Sequence, residues 1–191
     1  MQLMHCKKYL TFIEGTMERM FVNNNFPNVH VIPIQNGDSW TVESLAKRIV
    51  SMFKTKNMET DKIVVWLDRE SQVRSSDEIR QIIASAFQGI GVEEHKLAIF
   101  IPDKMTENLI LADEDLIRSE FGIEDYSYPG DGTHGKSELK NLYENYKKKK
   151  YKETDHGVQL LKKTHLSRAC QASPPVQQLR DALPQNCWWN R

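Results

Sequence analysis

Two carboxylates close one apolar run in this sequence. Lys62-Ile63-Val64-Val65-Trp66-Leu67 leads directly into Asp68-Arg69-Glu70. In an extended segment, residues two apart project to the same side, so Asp68 and Glu70 share a face. Like charges held together repel, and a divalent cation or a proton between them relieves the repulsion. The plainer alternative is that both acids stand in solvent at the start of the next helix. A second acidic pair, Glu14 and Glu18, follows the apolar residues 8–13. Four residues apart on a helix, the two would lie on one side. Asp103 ends another apolar run, and Glu107 and Asp113 follow it, with Glu114 and Asp115 beyond. Acids recurring at successive strand ends would hold one or two hard cations through oxygen. Two such cations can activate water and steady the leaving oxygen of a phosphodiester.

Those acids need strands that end on one rim. Residues 8–13, 29–34, 62–67 and 96–101 are short apolar runs rich in β-branched and aromatic side chains, as buried parallel strands are. Pro33 marks the second as an edge or strand end. Helical patterns lie between them. Thr16 opens one over residues 17–23. Thr41 opens another, with Val42, Leu45, Ile49 and Phe53 on one face. Ser76 or Asp77 caps a third, which carries Ile79, Ile82, Ile83, Ala86 and Phe87 inward and closes at Gly89 and Gly91. Thr106 caps a fourth that runs to Phe121. The alternation predicts an α/β sandwich with a mostly parallel four-stranded sheet flanked by helices. Beyond Phe121 come a loop over 122–135, a charged helix from Ser137 to about Lys150, and a helix starting at Thr154 or Gly157. Ser173-Pro174-Pro175 breaks it, and residues 176–183 form a last turn or two. The expected organisation is a core over 1–121, the loop, and a basic helical extension over 136–191 packed on the core. Trp188 and Trp189 are expected to find a surface.

Length and composition suit one domain with an appendage, and 39% hydrophobic residues suffice for a core. The net charge of zero hides an asymmetry. Residues 1–135 hold 14 Lys and Arg against 21 Asp and Glu, and residues 136–191 hold 12 against 5. An acidic body can hold metal while a basic end touches phosphates, although a solvated basic helix explains the second half equally well. Lys136, Lys140 and Lys147 are the candidate nucleic-acid contacts. Tyr126, Tyr128, Tyr143, Tyr146 and Tyr151 interleave with the lysines and suit base stacking; ordinary packing suits Tyr143 and Tyr146 better. His134, His156 and His165 form no i, i+4 pair, which favours phosphate or solvent over metal. Cys6, Cys170 and Cys187 fit no metal spacing, and three unframed cysteines point to a reducing cytoplasm. No apolar run has membrane length and no signal-peptide core is visible, so a membrane partner is not expected; a homo-oligomer is left open.

Gly130-Asp131-Gly132-Thr133-His134-Gly135-Lys136-Ser137 matches G-x-x-x-x-G-K-[ST], the phosphate-cradling P-loop pattern. A working P-loop follows a buried strand. Residues 122–129 are polar and end in Pro129, so this stretch is expected to be a loop running into a helix. Lys136 would be free to touch a substrate phosphate, and the loop could cover the acidic rim.

The acidic residues also carry a family resemblance. Phe12-Ile13-Glu14-Gly15-Thr16-Met17-Glu18 resembles the first motif of Toprim domains, and Leu67-Asp68-Arg69-Glu70 resembles their Asp-x-Asp motif with Glu in second place. Within that superfamily the chain resembles the small stand-alone proteins of the DUF4276 type, near the RloB and OLD nuclease groups. Residues 107–113 resemble that family's Glu-x-Trp-Leu-Leu-Ala-Asp, with Leu109 in place of Trp. Residues 151–161 and Ser173-Pro174-Pro175-Val176 resemble its later segments. The resemblance spans roughly residues 7–183. It implies a Toprim fold, Mg²⁺ or Mn²⁺, and hydrolysis of phosphodiester bonds in DNA or RNA. It implies that Glu14 is a general acid/base or metal ligand, and that Glu18, Asp68 and Glu70 are ligands. Glu107 and Asp113 would support a second metal or shape the rim, and Lys152 would stabilise charge on the reacting phosphate. A separate ABC-type or AAA ATPase, in phage defence, is the implied partner. One alternative is a non-catalytic module of the same fold that binds a partner protein or nucleic acid; another is a nucleotide-binding protein that uses the Gly130–Ser137 loop.

Overall fold

The protein is described by a computed structural model over residues 8–34, 41–70, 72–102, 104–130 and 132–183. Cys6, Asp103, Cys187, Trp188 and Trp189 lie outside the described residues. Four strands form one sheet: β1 (Tyr9–Ile13), β2 (Val29–Pro33), β3 (Lys62–Trp66) and β4 (Leu97–Phe100). The sheet is wholly parallel, in the order β2-β1-β3-β4. Period-two alternation sends Tyr9, Ile13, Val64, Trp66, Ala98 and Phe100 to one face. Leu10, Phe12, Ile63, Val65, Leu97 and Ile99 go to the other. Pro33 ends the edge strand β2, where a missing N–H costs no ladder bond.

Helices cover both faces. On the first lies α1 (Thr16–Asn25), through Met17, Phe21 and Val22. On the second lie α2 (Val42–Lys56) and α3 (Ser76–Gln88), through Leu45, Ile49, Ile79, Ile83 and Phe87. Capping boxes start both: Thr41 with Ser44, and Ser75 with Glu78. The cap of α3 is therefore Ser75, one residue before Ser76 and two before Asp77. Thr16 is not the cap of α1 either; Gly15 holds that position.

After β4 the chain stays on the first face. The single helix expected from Thr106 to Phe121 is two, α4 (Glu107–Ala112) and α5 (Glu114–Phe121), broken at Asp113. The expected charged helix over 137–150 is also shorter. Helix α6 (Gly135–Leu142) passes into a π-helical turn, Tyr143–Lys147, and stops at Lys148 in the left-handed conformation. The wider turn sets Tyr143 inward, against Phe121 (5.2 Å between ring centroids) and stacked on His156 (4.4 Å). A second π-helical turn, Glu153–Gly157, leads into α7 (Val158–Lys163), then α8 (Leu166–Ala169) and α9 (Pro174–Ala182). The two prolines stand at the start of α9, where their missing N–H groups cost nothing.

Leu139, Tyr143, Leu160, Leu161, Leu166, Val176 and Leu179 join α1, α4 and α5 in one apolar cluster. The basic third thus completes the first face of the sheet. Among the described residues no helix is long and apolar enough to cross a membrane.

Candidate functional site

The topology itself marks a position for a site. From β1 the chain moves through α1 to β2, on one side; from β3 it moves through α3 to β4, on the other. The crevice beyond the carboxyl ends of β1 and β3 is where these connections part, the place where open α/β sheets bind ligands. Glu14 directly follows β1, and its N–H donates to the Trp66 carbonyl at the end of β3 (3.3 Å). Glu14, Glu18, Asp68, Glu70, Glu107 and Glu153, with Lys136, line a cavity of about 260 Å³ there. Five of the six carboxylates and the lysine were candidates from the sequence; Glu153 was not.

Each acid is delivered by a different local device. Glu18 reaches back over the start of α1, and Gly15 makes room for it: a Cβ on Gly15 would stand 1.7 Å from Glu18 Oε2. The Glu-Gly pairing therefore has a steric reason. Asp68 is held by Thr106, whose N–H and hydroxyl both donate to Asp68 Oδ1 (2.9 and 3.0 Å). Thr106 in turn accepts from Trp66 Nε1 (2.9 Å). Thr106, expected only as a helix cap, joins β3 to α4 across the site. Glu70 adopts a left-handed backbone (φ 47°), pinned by its N–H donating to the Lys104 carbonyl (2.7 Å). Glu107 opens α4 and is 3% exposed. The Tyr151 hydroxyl donates to Glu107 Oε1 at 3.5 Å.

Crowding acids in a buried crevice raises their proton affinity. Burial, then repulsion from Glu18, Glu107 and Glu14, pushes Asp68 well above the usual carboxylate range, against the Thr106 hydrogen bond. Burial raises Glu18 above the ordinary carboxylate value. Burial, assisted by Glu18 and Glu153, lifts Glu107 to about 7. Lys136 forms an ion pair with Glu153 at the mouth of the crevice. Its pKa is raised by that hydrogen bond first, with further pull from Glu107 and Glu70.

Four sequence candidates lie elsewhere. Asp113 is fully buried at the break between α4 and α5. It accepts from Arg168 Nε and Nη2 (both 2.7 Å) and from the N–H groups of His165 (2.8 Å) and Leu116 (3.2 Å). With both oxygens so engaged it is a structural anchor and no part of the crevice. Lys152 is exposed and does not line the crevice; Lys136 stands where a cation facing the acids is needed. Lys147 pairs with Glu120 (3.4 Å) and lies over the Phe121 ring (5.7 Å). Lys140 faces a separate cavity. The three histidines belong to no group among the described residues that could hold a metal ion. Tyr143 and Tyr151 are buried packing residues, whereas Tyr146, expected to pack, is exposed.

The P-loop-like stretch has a different explanation. Among the described residues no strand leads directly into it; helix α5 is the element before it. Gly135 is buried, and a Cβ there would lie 2.7 Å from the Asn108 backbone nitrogen. Asn108 Nδ2 donates to the Thr133 carbonyl (2.9 Å) and to the Tyr128 hydroxyl (3.1 Å). These contacts dock the loop on α4 and carry Lys136 to the crevice. Nothing in the sequence singled out Asn108.

As they stand, no three His, Cys, Asp or Glu side chains among the described residues form a group that could hold a metal ion. The donor chemistry nevertheless fits a hard divalent cation: the ligand atoms offered are carboxylate oxygens, and their mutual repulsion is what such an ion would relieve.

An all-parallel α/β sheet with an acidic crevice at its switch point defines the class of this molecule. The chain belongs to the DUF4276 family, described as a domain of unknown function, whose model matches residues 9–184. No curated protein and no solved structure matches it.

Proposed function

We propose that the protein is a Toprim-type nuclease that hydrolyses phosphodiester bonds of DNA or RNA with Mg²⁺ or Mn²⁺ at the β1–β3 crevice. The observation supporting this reading is the convergence of acids from four separate segments on one partly buried crevice. Glu18, Asp68 and Glu70 would hold the cation, with Glu107 on the α4 side. Bound there, the cation would activate water and polarise the phosphate. Glu14, at the mouth between β1 and β3, suits proton transfer. Thr106 fixes the Asp68 carboxylate through two donated bonds. Lys136, rather than Lys152, is positioned to neutralise charge on a phosphate, a task that suits an ammonium. A separate ATPase as partner in phage defence follows from the Toprim resemblance and belongs to the same proposal.

Cleavage of single- and double-stranded DNA and RNA, with Mn²⁺ or Mg²⁺ and with EDTA, tests it. Metal-dependent cleavage is expected, with a loss of about 100-fold or more on Asp68→Asn or Glu14→Gln. Undiminished activity in those variants would sink the reading. The Lys136–Glu153 pair at the mouth favours one rival, a non-catalytic module that binds nucleic acid or a partner protein. Calorimetry separates the two: no Mn²⁺ binding, with nucleic-acid binding intact, selects the module.

A further inference from the structure

Lys140, Lys148, Lys149 and Lys150, with Glu144 and Tyr151, line a cavity of about 530 Å³. Tyr151 connects it to the acidic crevice: the residue lines this cavity while its hydroxyl reaches Glu107. Four lysines and one carboxylate thus share its lining. None of the four has a carboxylate partner among the described residues, whereas Lys136, Lys147 and Lys163 are each paired. Cations gathered in a concavity focus a positive potential that attracts phosphate.

The backbone is bent to gather them. Lys148 follows the π-helical turn in the left-handed conformation (φ 53°, ψ 38°), and the Lys149 N–H then donates to the Tyr143 carbonyl (3.2 Å). Glycine usually takes such a position. Here a lysine holds it, and a run of lysines is turned around one hollow instead of being spread about a helix.

We infer that this cavity binds the phosphodiester backbone of a single nucleic-acid strand, beside the acidic crevice and without need of a metal. Its volume lies in the range of small-ligand pockets. A flexible strand can enter with one nucleotide; a rigid duplex can only lie across the mouth. Lysines tracking the backbone along a positively charged groove are a usual means of holding single strands. The choice of a nucleic acid over another polyphosphate rests on the nuclease reading of the crevice.

The test is fluorescence anisotropy of a short labelled oligothymidylate and oligouridylate on the full chain in EDTA, between about 50 and 200 mM salt. The pair Lys148→Glu with Lys150→Glu is expected to weaken binding at least about tenfold and to flatten the salt dependence by about 1.4, at about 0.7 per lost contact. Lys54→Glu with Lys56→Glu, exposed at the end of α2 on the opposite face, changes affinity less than about twofold, because distant charges are screened. Equal losses in the two pairs overturn the proposal. Lys148→Gly relaxes the left-handed turn, keeps the fold and still weakens binding; undiminished binding by it also overturns the proposal. So does a short duplex that competes as well as the single strand, or inorganic tripolyphosphate bound where no oligonucleotide binds. Binding in EDTA and Mn²⁺-dependent cleavage are separate readouts, so failure of the cavity and failure of the crevice are distinguishable.

Discussion

Gly15 and Glu18 show how a two-residue motif encodes a geometry. The Glu18 carboxylate occupies the space a Cβ on Gly15 would need. Gly15→Ala collides only with the end of a flexible side chain, so the fold should survive, with a stability change within about 1 kcal/mol. Glu18 would swing away, and Mn²⁺ binding by calorimetry should fall along with cleavage. Unchanged Mn²⁺ affinity would remove Glu18 from the site. Glu107 gives a pH signature. Its folded pKa of about 7 lies above the ordinary 4.5, so the folded chain holds this proton more tightly than the unfolded one. That contribution is complete below about pH 4.5 and is lost as pH rises through about 7, a change of about 3 kcal/mol. Glu18 and Asp68 act in the same sense. In EDTA the melting temperature should therefore fall between pH 5 and 8, and Glu107→Gln should flatten that fall. A steeper fall in the Gln variant would contradict the assignment. Glu14, Glu18, Asp68, Glu70 and Glu107 were legible because each is local to a strand or helix end. Glu153 was not, because its only sequence cue is a basic, irregular neighbourhood.

At the scale of elements, the strands and the first three helices could be read from periodicity and caps, to within a residue or two. What escaped the sequence was set by partners far along the chain. Asp113 looks like one more acid of the crevice until Arg168, 55 residues away, is seen to hold it. That bond ties α8 to the α4–α5 break. Arg168→Ala leaves a buried carboxylate with only two N–H donors and should cost about 3 kcal/mol in chemical denaturation. A loss below about 1 kcal/mol would show that the N–H groups suffice. Lys136 and Lys152 are equally basic in sequence; only the docking of the 128–135 loop on Asn108 brings the first to the acids. Tyr143 and Tyr151, read either as stacking platforms or as core, are core: Tyr143 packs on Phe121 and His156, and Tyr151 lies against Tyr143.

For the whole molecule, the acidic and basic halves of the sequence are not two bodies. Leu139, Tyr143, Leu161, Leu166, Val176 and Leu179 cover the same sheet face as Phe21 and Leu109. A chain cut after residue 135 would expose that face, and its product should be insoluble or molten by near-ultraviolet circular dichroism. A cooperative, monodisperse 1–135 fragment would refute this. The covering also has an order in time. A ribosome adds about 5–20 residues per second and delivers the amino-terminal part first. The α2–α3 face can close early, but the other stays bare until residues 158–183 have emerged. Throughout that interval the nascent protein carries an open apolar wall, and it is then that a chaperone would have most to do.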